Sequence, residues 1–139
     1  MKYNLYTDGG ARGNPGPAGI GILLCDEDGE ELIRYKDTIG TATNNIAEYL
    51  ALIAGLELAR THSAERLSCH LDSELVVRQM TGQYKVKNEN MRKLFSEVKR
   101  LEADFQSITY RHLPRTDGNM RIADALVNQA LDEQKSSIR

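Results

Sequence analysis

The 139-residue chain has no tryptophan, two cysteines, three prolines and two phenylalanines. Cys25 and Cys69 each sit in an apolar strand pattern and share no metal-ligand spacing with the three histidines. Two thiols make no disulfide framework, so they read as small core residues. The longest apolar run, Ile46–Ala59, has 14 residues and contains Glu48 and Glu57, too short and too charged to cross a bilayer. No membrane partner is expected. No Ser/His/Asp or Cys/His arrangement for covalent catalysis is visible. A surplus of positive charge is missing too: 18 Lys and Arg against 20 Asp and Glu leave a net charge of −2, which does not announce a nucleic-acid binder. There is no internal repeat and no low-complexity segment. No basic, apolar leader precedes the first strand, so a cytoplasmic protein is expected. What remains is ordinary for a soluble globular chain, 40% hydrophobic and 27% charged, of a length that implies one domain over residues 1–139.

One stretch stands out, Lys2 to Leu24 (KYNLYTDGGARGNPGPAGIGILL). Alternating Tyr3, Leu5 and Thr7 predict a strand ending at Asp8. Glycines and prolines then force a hard turn with little side-chain bulk, and a second strand follows at 18–25. A lone acid at a strand end is most often only a strand breaker. Asp8 gains meaning if other carboxylates converge on it.

Turn residues 26–29 lead into a third strand at 30–37, which completes an antiparallel meander. Thr41–Asn45 offers capping chemistry for a helix over 45–60 that is apolar nearly all round and therefore buried, with Gly55 marking close packing on the sheet. A fourth strand covers 66–72 and again ends in Asp. Helices follow at 73–81 and 90–103, a fifth strand at 107–112 and a last helix at 122–131. The polar tail 132–139 is expected to fray. Three antiparallel strands followed by two strand units separated by helices give an α/β domain with a mixed five-stranded sheet flanked by helices. Right-handed crossovers place strand four beside strand one and strand five outside it. Asp8 and Asp72 then meet at one edge, outside the carboxyl ends of parallel strands, where sites form in such sheets.

Glu48 is expected in the first turn of the otherwise hydrophobic first helix. The helix N-terminus offsets part of the cost of burying it. The alternative is a cation shared by Asp8, Glu48 and Asp72, with Asp124 as a fourth carboxylate. Hard divalent ions such as Mg2+ prefer these oxygens, and four crowded acids without a cation repel one another. Between Arg78 and Arg100, seven basic residues face two acids. That run is either a solvated helix face or a phosphate contact.

These residues carry a resemblance. TDGGARGNPGPAGIG at 7–21, TNNIAEYLAL at 43–52, LDSELVV at 71–77 and HLPR…N…AD at 112–124 are similar to the motifs of type 1 ribonucleases H, and the likeness runs from Tyr3 to about Leu131. The resemblance implies a ribonuclease H-like fold and an endonuclease that cuts the RNA strand of RNA–DNA hybrids. It implies Asp8, Glu48, Asp72 and Asp124 as the catalytic and metal-binding set. Two Mg2+ ions act with substrate bound, Mn2+ being a possible substitute, and products carry 5′-phosphate and 3′-hydroxyl ends. Asn14, Asn44 and Asn45 match positions that bond the 2′-hydroxyl, Thr43 is a phosphate contact, and Arg115 joins the substrate-binding set. Taken alone, Asn44 and Asn45 are ordinary helix caps. A monomer is expected.

The chain departs from the family pattern in four places. Glu74 stands where many relatives have Gln, and a carboxylate there repels phosphate. The long basic, Trp-containing insertion after the second helix is missing, as in the short members, and Lys85, Lys87 and Arg115 are candidates to replace its grip. The place of a loop His in some relatives falls near Arg115 and Thr116, whereas His112 reads as structural. Two extra residues between Arg115 and Asp124 make Asp117 a rival for the fourth carboxylate. The competing readings are a same-fold nuclease for double-stranded RNA or DNA, and a non-catalytic hybrid-binding module.

Overall fold

The computed structural model describes residues 1–137. Its sheet is built from β1 (Lys2–Ala11), β2 (Gly16–Asp26), β3 (Glu31–Ala42), β4 (Arg66–Leu71) and β5 (Ser107–His112). The helices are α1 (Asn44–Thr61), α2 (Glu74–Met80), α3 (Glu89–Glu102) and α4 (Gly118–Ser137). Strand order is β3-β2-β1-β4-β5, with β1 antiparallel to β2 and parallel to β4, which is parallel to β5. This is the mixed five-stranded sheet that the crossover rule predicts.

Alternation decides which side of β1 faces the main core. Tyr3, Leu5 and Thr7 are buried under α1, while Asn4 and Tyr6 turn to the other face. β2 reads as a continuous apolar run because both of its faces are covered, by α1 on one side and α4 on the other. α1 lies between the sheet and α3, hence its apolar circumference. Gly55 is where it touches down: an added Cβ would stand 2.8 Å from Thr7 Cγ2.

The strands run further than alternation indicates. β1 continues past Asp8 to Ala11 because Gly9, Gly10 and Ala11 pair with Ile20, Gly19 and Ala18. β3 extends to Ala42 for the same reason. The expectation for the C-terminal segment needs correction. α4 begins at Gly118 rather than 122, and it stays helical through Ser137 where fraying is expected. Asp132 pairs with Arg12 (2.7 Å) and Glu133 with Lys36 (2.7 Å), so the polar last turns are fastened to the β1–β2 turn and to β3. Residues 138–139 of the expected tail lie outside the described residues. No helix among the described residues is long and apolar enough to cross a membrane.

Candidate active site

Two close backbone contacts seat the helices that bring acids to the sheet edge. A Cβ on Gly9 would stand 2.7 Å from the Glu48 amide nitrogen, and one on Gly21 would stand 2.8 Å from Leu126 Cβ. Both distances are shorter than real Cβ contacts, so α1 and α4 lie closer to β1 and β2 than any other residue type permits. Gly9 fixes the depth of Glu48 and Gly21 fixes the height of Asp124. Gly21→Ala should therefore destabilise the fold by roughly 1–3 kcal/mol through overpacking. A urea midpoint unchanged from wild type would show that α4 lifts off without cost.

Asp8, Glu48, Asp72 and Asp124 line one open cleft of about 450 Å³, together with Asn44, Asn45 and Arg115. Asp8 is 4% exposed and Glu48 7%. Burial, followed by the Asp124 and Asp72 charges beside it, pushes the Asp8 carboxyl from 3.8 up to about 7, although the Glu48 hydrogen bond works against the rise. Burial and the Asp8 charge likewise hold Glu48 well above the usual carboxylate range, and the Gly9 N–H opposes that. Glu48 accepts this N–H in a short hydrogen bond. It lies in the second turn of α1, so a backbone amide of β1, rather than the helix N-terminus, offsets its burial.

The Arg115 guanidinium reaches Asp72 Oδ2 from Nη2 (2.9 Å) and Nε (3.2 Å), and its Nε lies 3.8 Å from Asp124 Oδ1. Arg115 is therefore the cation that faces the acids of the cleft. The Asp72 carboxylate raises the guanidinium's own pKa. Among the described residues no three acids are closed into a ready-made cation cage. The reason is visible: Arg115 draws Asp72 to one side and the Gly9 amide holds Glu48 on the other.

The substrate-binding candidates divide. Thr43 is the N-cap of α1, accepting from Ile46 N at 3.3 Å. Asn44 does not cap. Its Oδ1 accepts from Ala11 N (2.9 Å), and its own N–H donates to Asn14 Oδ1 (3.0 Å). The pair clasps the β1–β2 turn to the start of α1, while Asn45 stays exposed in the cleft wall. Thr43→Ala should cost about 0.5–2 kcal/mol, and Asn44→Ala no more than about 1 kcal/mol, because its bond is exposed. Denaturation midpoints in the opposite order would make Asn44 the cap after all.

Several features lay beyond the sequence reading. Ser73 caps α2 through Val76 N (3.2 Å) and lines the cleft beside Asp72. Arg12 and Asn128 close the far wall, 3.3 Å apart. Glu74 is held by Arg78 (2.8 Å), which offsets the charge expected to repel phosphate. Of the basic run, Arg78, Lys99 and Arg100 are already paired with acids on their own helices. His112 is the last residue of β5, in register with Leu71, and so belongs to the strand and not to the loop that carries Arg115. Asp117 caps α4, its Oδ1 accepting from Asn119 N (3.0 Å) and Met120 N (3.2 Å).

A reverse transcriptase-like family model matches residues 6–130. The solved type 1 ribonuclease H of the archaeon Halobacterium salinarum superposes with a TM-score of 0.92 at 40% identity, over 96% of this chain and 99% of that one. The chain belongs to the ribonuclease H family. It resembles the short forms: α2 and α3 are joined by residues 81–88 alone, with no basic insertion. Another ribonuclease H1, solved in complex with an RNA/DNA hybrid, matches with a TM-score of 0.89 at 41% identity, over 95% of this chain and 98% of that one. A bifunctional protein of Mycobacterium tuberculosis is 42% identical over 138 residues, which cover 99% of this chain. The chain spans 37% of that protein's length and 65% of the full Halobacterium ribonuclease HI.

Proposed function

We propose that this ribonuclease H-family chain hydrolyses the RNA strand of RNA–DNA hybrids, using two Mg2+ ions held by Asp8, Glu48, Asp72 and Asp124. The observation that carries this reading is the convergence of four carboxylates, two of them buried, beside the Asn14–Asn44 clasp. The donor set fits hard divalent ions: every ligand atom is a carboxylate oxygen, and the Asp8 carboxyl, raised first by burial and then by the neighbouring Asp124 and Asp72 charges, stands where a cation would offset both. Mn2+ favours the same oxygens and is expected to substitute. When bound, such ions activate water for in-line attack at phosphorus and stabilise the departing 3′ oxygen.

The protein's own part is geometry. Asp8 in β1 and Asp72 just after β4 both follow the last β1–β4 pair, Thr7–Leu71, α1 buries Glu48 behind them, and α4 brings Asp124 across. Arg115 balances Asp72 and Asp124, and from that position its guanidinium would reach a substrate phosphate if ions took over the two carboxylates. The clasp sets Asn44 and Asn45 at the cleft wall, where an amide can both donate to and accept from a 2′-hydroxyl. A binding module gains nothing from acids that repel phosphate. All four carboxylates come from one chain, which supports action as a monomer.

Matched RNA–DNA, RNA–RNA and DNA–DNA duplexes test the reading. Mg2+-dependent cleavage confined to the RNA strand of the hybrid is expected. Equal cleavage of the RNA–RNA duplex, or retention of the hybrid without cleavage, would contradict it. Asn44→Ala should raise KM for the hybrid without a matching loss of stability. A stability loss with unchanged kinetics would defeat the recognition role.

A further inference from the structure

The sheet has a second polar face that the carboxylate chemistry does not use. On β1, β4 and β5, the alternation that buries Leu5, Leu67 and Cys69 sends Lys2, Tyr6, Arg66, His70, Thr109 and Arg111 to the opposite side. α4 covers β2, β1 and β3 there, whereas Arg66, Thr109 and Arg111 remain exposed. Tyr6 and His70 are register partners, and their rings stack 4.6 Å apart at 17°. That separation matches the spacing between neighbouring strands, so both rings stand upright from the sheet, with Arg111 next in the row.

Charge on this face runs against the chain's net −2. Lys2, Arg66 and Arg111 make no ion pair among the described residues. Glu65, next to Arg66 in the chain, is engaged by the N-terminal ammonium (3.1 Å), and Asp117, whose charge reaches His70, by the α4 amides. His70 is not explained by packing either, since its buried Nδ1 has no hydrogen-bond partner and its Nε2 has only Asn4 Oδ1 at 3.4 Å.

A stacked Tyr–His pair on a sheet face, flanked by unpaired cations, is the chemistry of a single-strand platform: the outer ring face of the pair stacks a base and the cations track phosphates. We propose that this face binds single-stranded nucleic acid and holds the strand that leaves the carboxylate cleft. Asp8 lies two residues beyond Tyr6 on the same face of β1, and β5 leads from Arg111 directly to Arg115. A strand held at the acids can therefore continue along the row. An acidic peptide could meet the same cations but would gain nothing from the stacked rings. The link to the cleft rests on the hybrid-nuclease reading; binding of a free strand does not.

The test is fluorescence anisotropy of the full chain with labelled single-stranded 12-mer RNA and DNA in EDTA, repeated with an acidic peptide of matched charge. Wild type should bind both oligonucleotides and not the peptide. His70→Ala should weaken binding roughly 5- to 100-fold, the range for losing one stacked base. Arg111→Ala should lower the salt slope by about 0.7, one single-strand phosphate contact. Arg111 is exposed and unpaired, so its variant should keep the wild-type melting curve and the cleavage rate on blunt hybrid, which separates this proposal from the hybrid-nuclease reading. Absence of binding by wild type, binding insensitive to both variants, or equal retention of the peptide would each overturn the proposal.

Discussion

Asp8→Asn should abolish Mg2+-dependent cleavage, by roughly 10³-fold or more, and should stabilise the metal-free protein near neutral pH. The first effect follows from losing an anionic ligand at the centre of the cluster, where the ions supply several kcal/mol of transition-state stabilisation. The second follows from the electrostatics. Asp8 titrates at about 7 in the fold against an ordinary value of 3.8. Between those values the folded chain keeps a proton that the unfolded chain has released, so stability falls as pH rises through that window. The neutral amide removes this loss. The metal-free melting temperature of Asp8→Asn should therefore exceed that of wild type at pH 7 and converge with it near pH 4. Asp72→Asn should abolish cleavage as well, but with less gain in stability, because it also releases Arg115 from its ion pair. Turnover like that of wild type by either variant would sink the metal-site assignment.

Asp124→Ala should lower kcat/KM by roughly 10²- to 10³-fold, whereas Asp117→Ala should leave it little changed. Asp124 is placed by a packed helix face, with Met120, Ala123, Leu126 and Val127 buried around it. The two added residues before it are absorbed by an earlier start of α4, which Asp117 caps. Asp117→Ala should therefore appear in the denaturation midpoint, at about 0.5–2 kcal/mol, and not in turnover. Asp124→Asn should retain part of the activity, since an amide oxygen still coordinates weakly. The reverse ranking of the two alanine variants would move the fourth ligand into the loop.

How far the chain could be read from its residues depends on how local each cause is. Alternation, apolar runs and Gly/Pro punctuation are local, and they place all nine elements; the handedness of crossovers then orders the strands. The four acids fall in one cleft because each follows a strand end or sits on a helix that must pack against that end. Side-chain pairings across the sequence are not local. Thr43, and not Asn44 or Asn45, caps α1, a choice set by where the β1–β2 turn arrives with Asn14. Arg115 meeting Asp72 and Asp124 depends on the path of the loop before α4. The last turns of α4 read as polar tail because their partners, Arg12 in the β1–β2 turn and Lys36 on β3, are distant in sequence. The Tyr6–His70 stack is equally silent in the sequence, since it needs the register of two parallel strands.

The most direct measurement is the chemistry of the RNA ends formed when the wild-type chain acts with Mg2+ on one end-labelled RNA–DNA hybrid. The carboxylate cluster predicts RNA fragments with 5′-phosphate and 3′-hydroxyl ends, an intact DNA strand, and no products in EDTA. Fragments ending in 2′,3′-cyclic phosphate would mean that the 2′-hydroxyl is the nucleophile and that the acids do not perform the hydrolysis proposed for them.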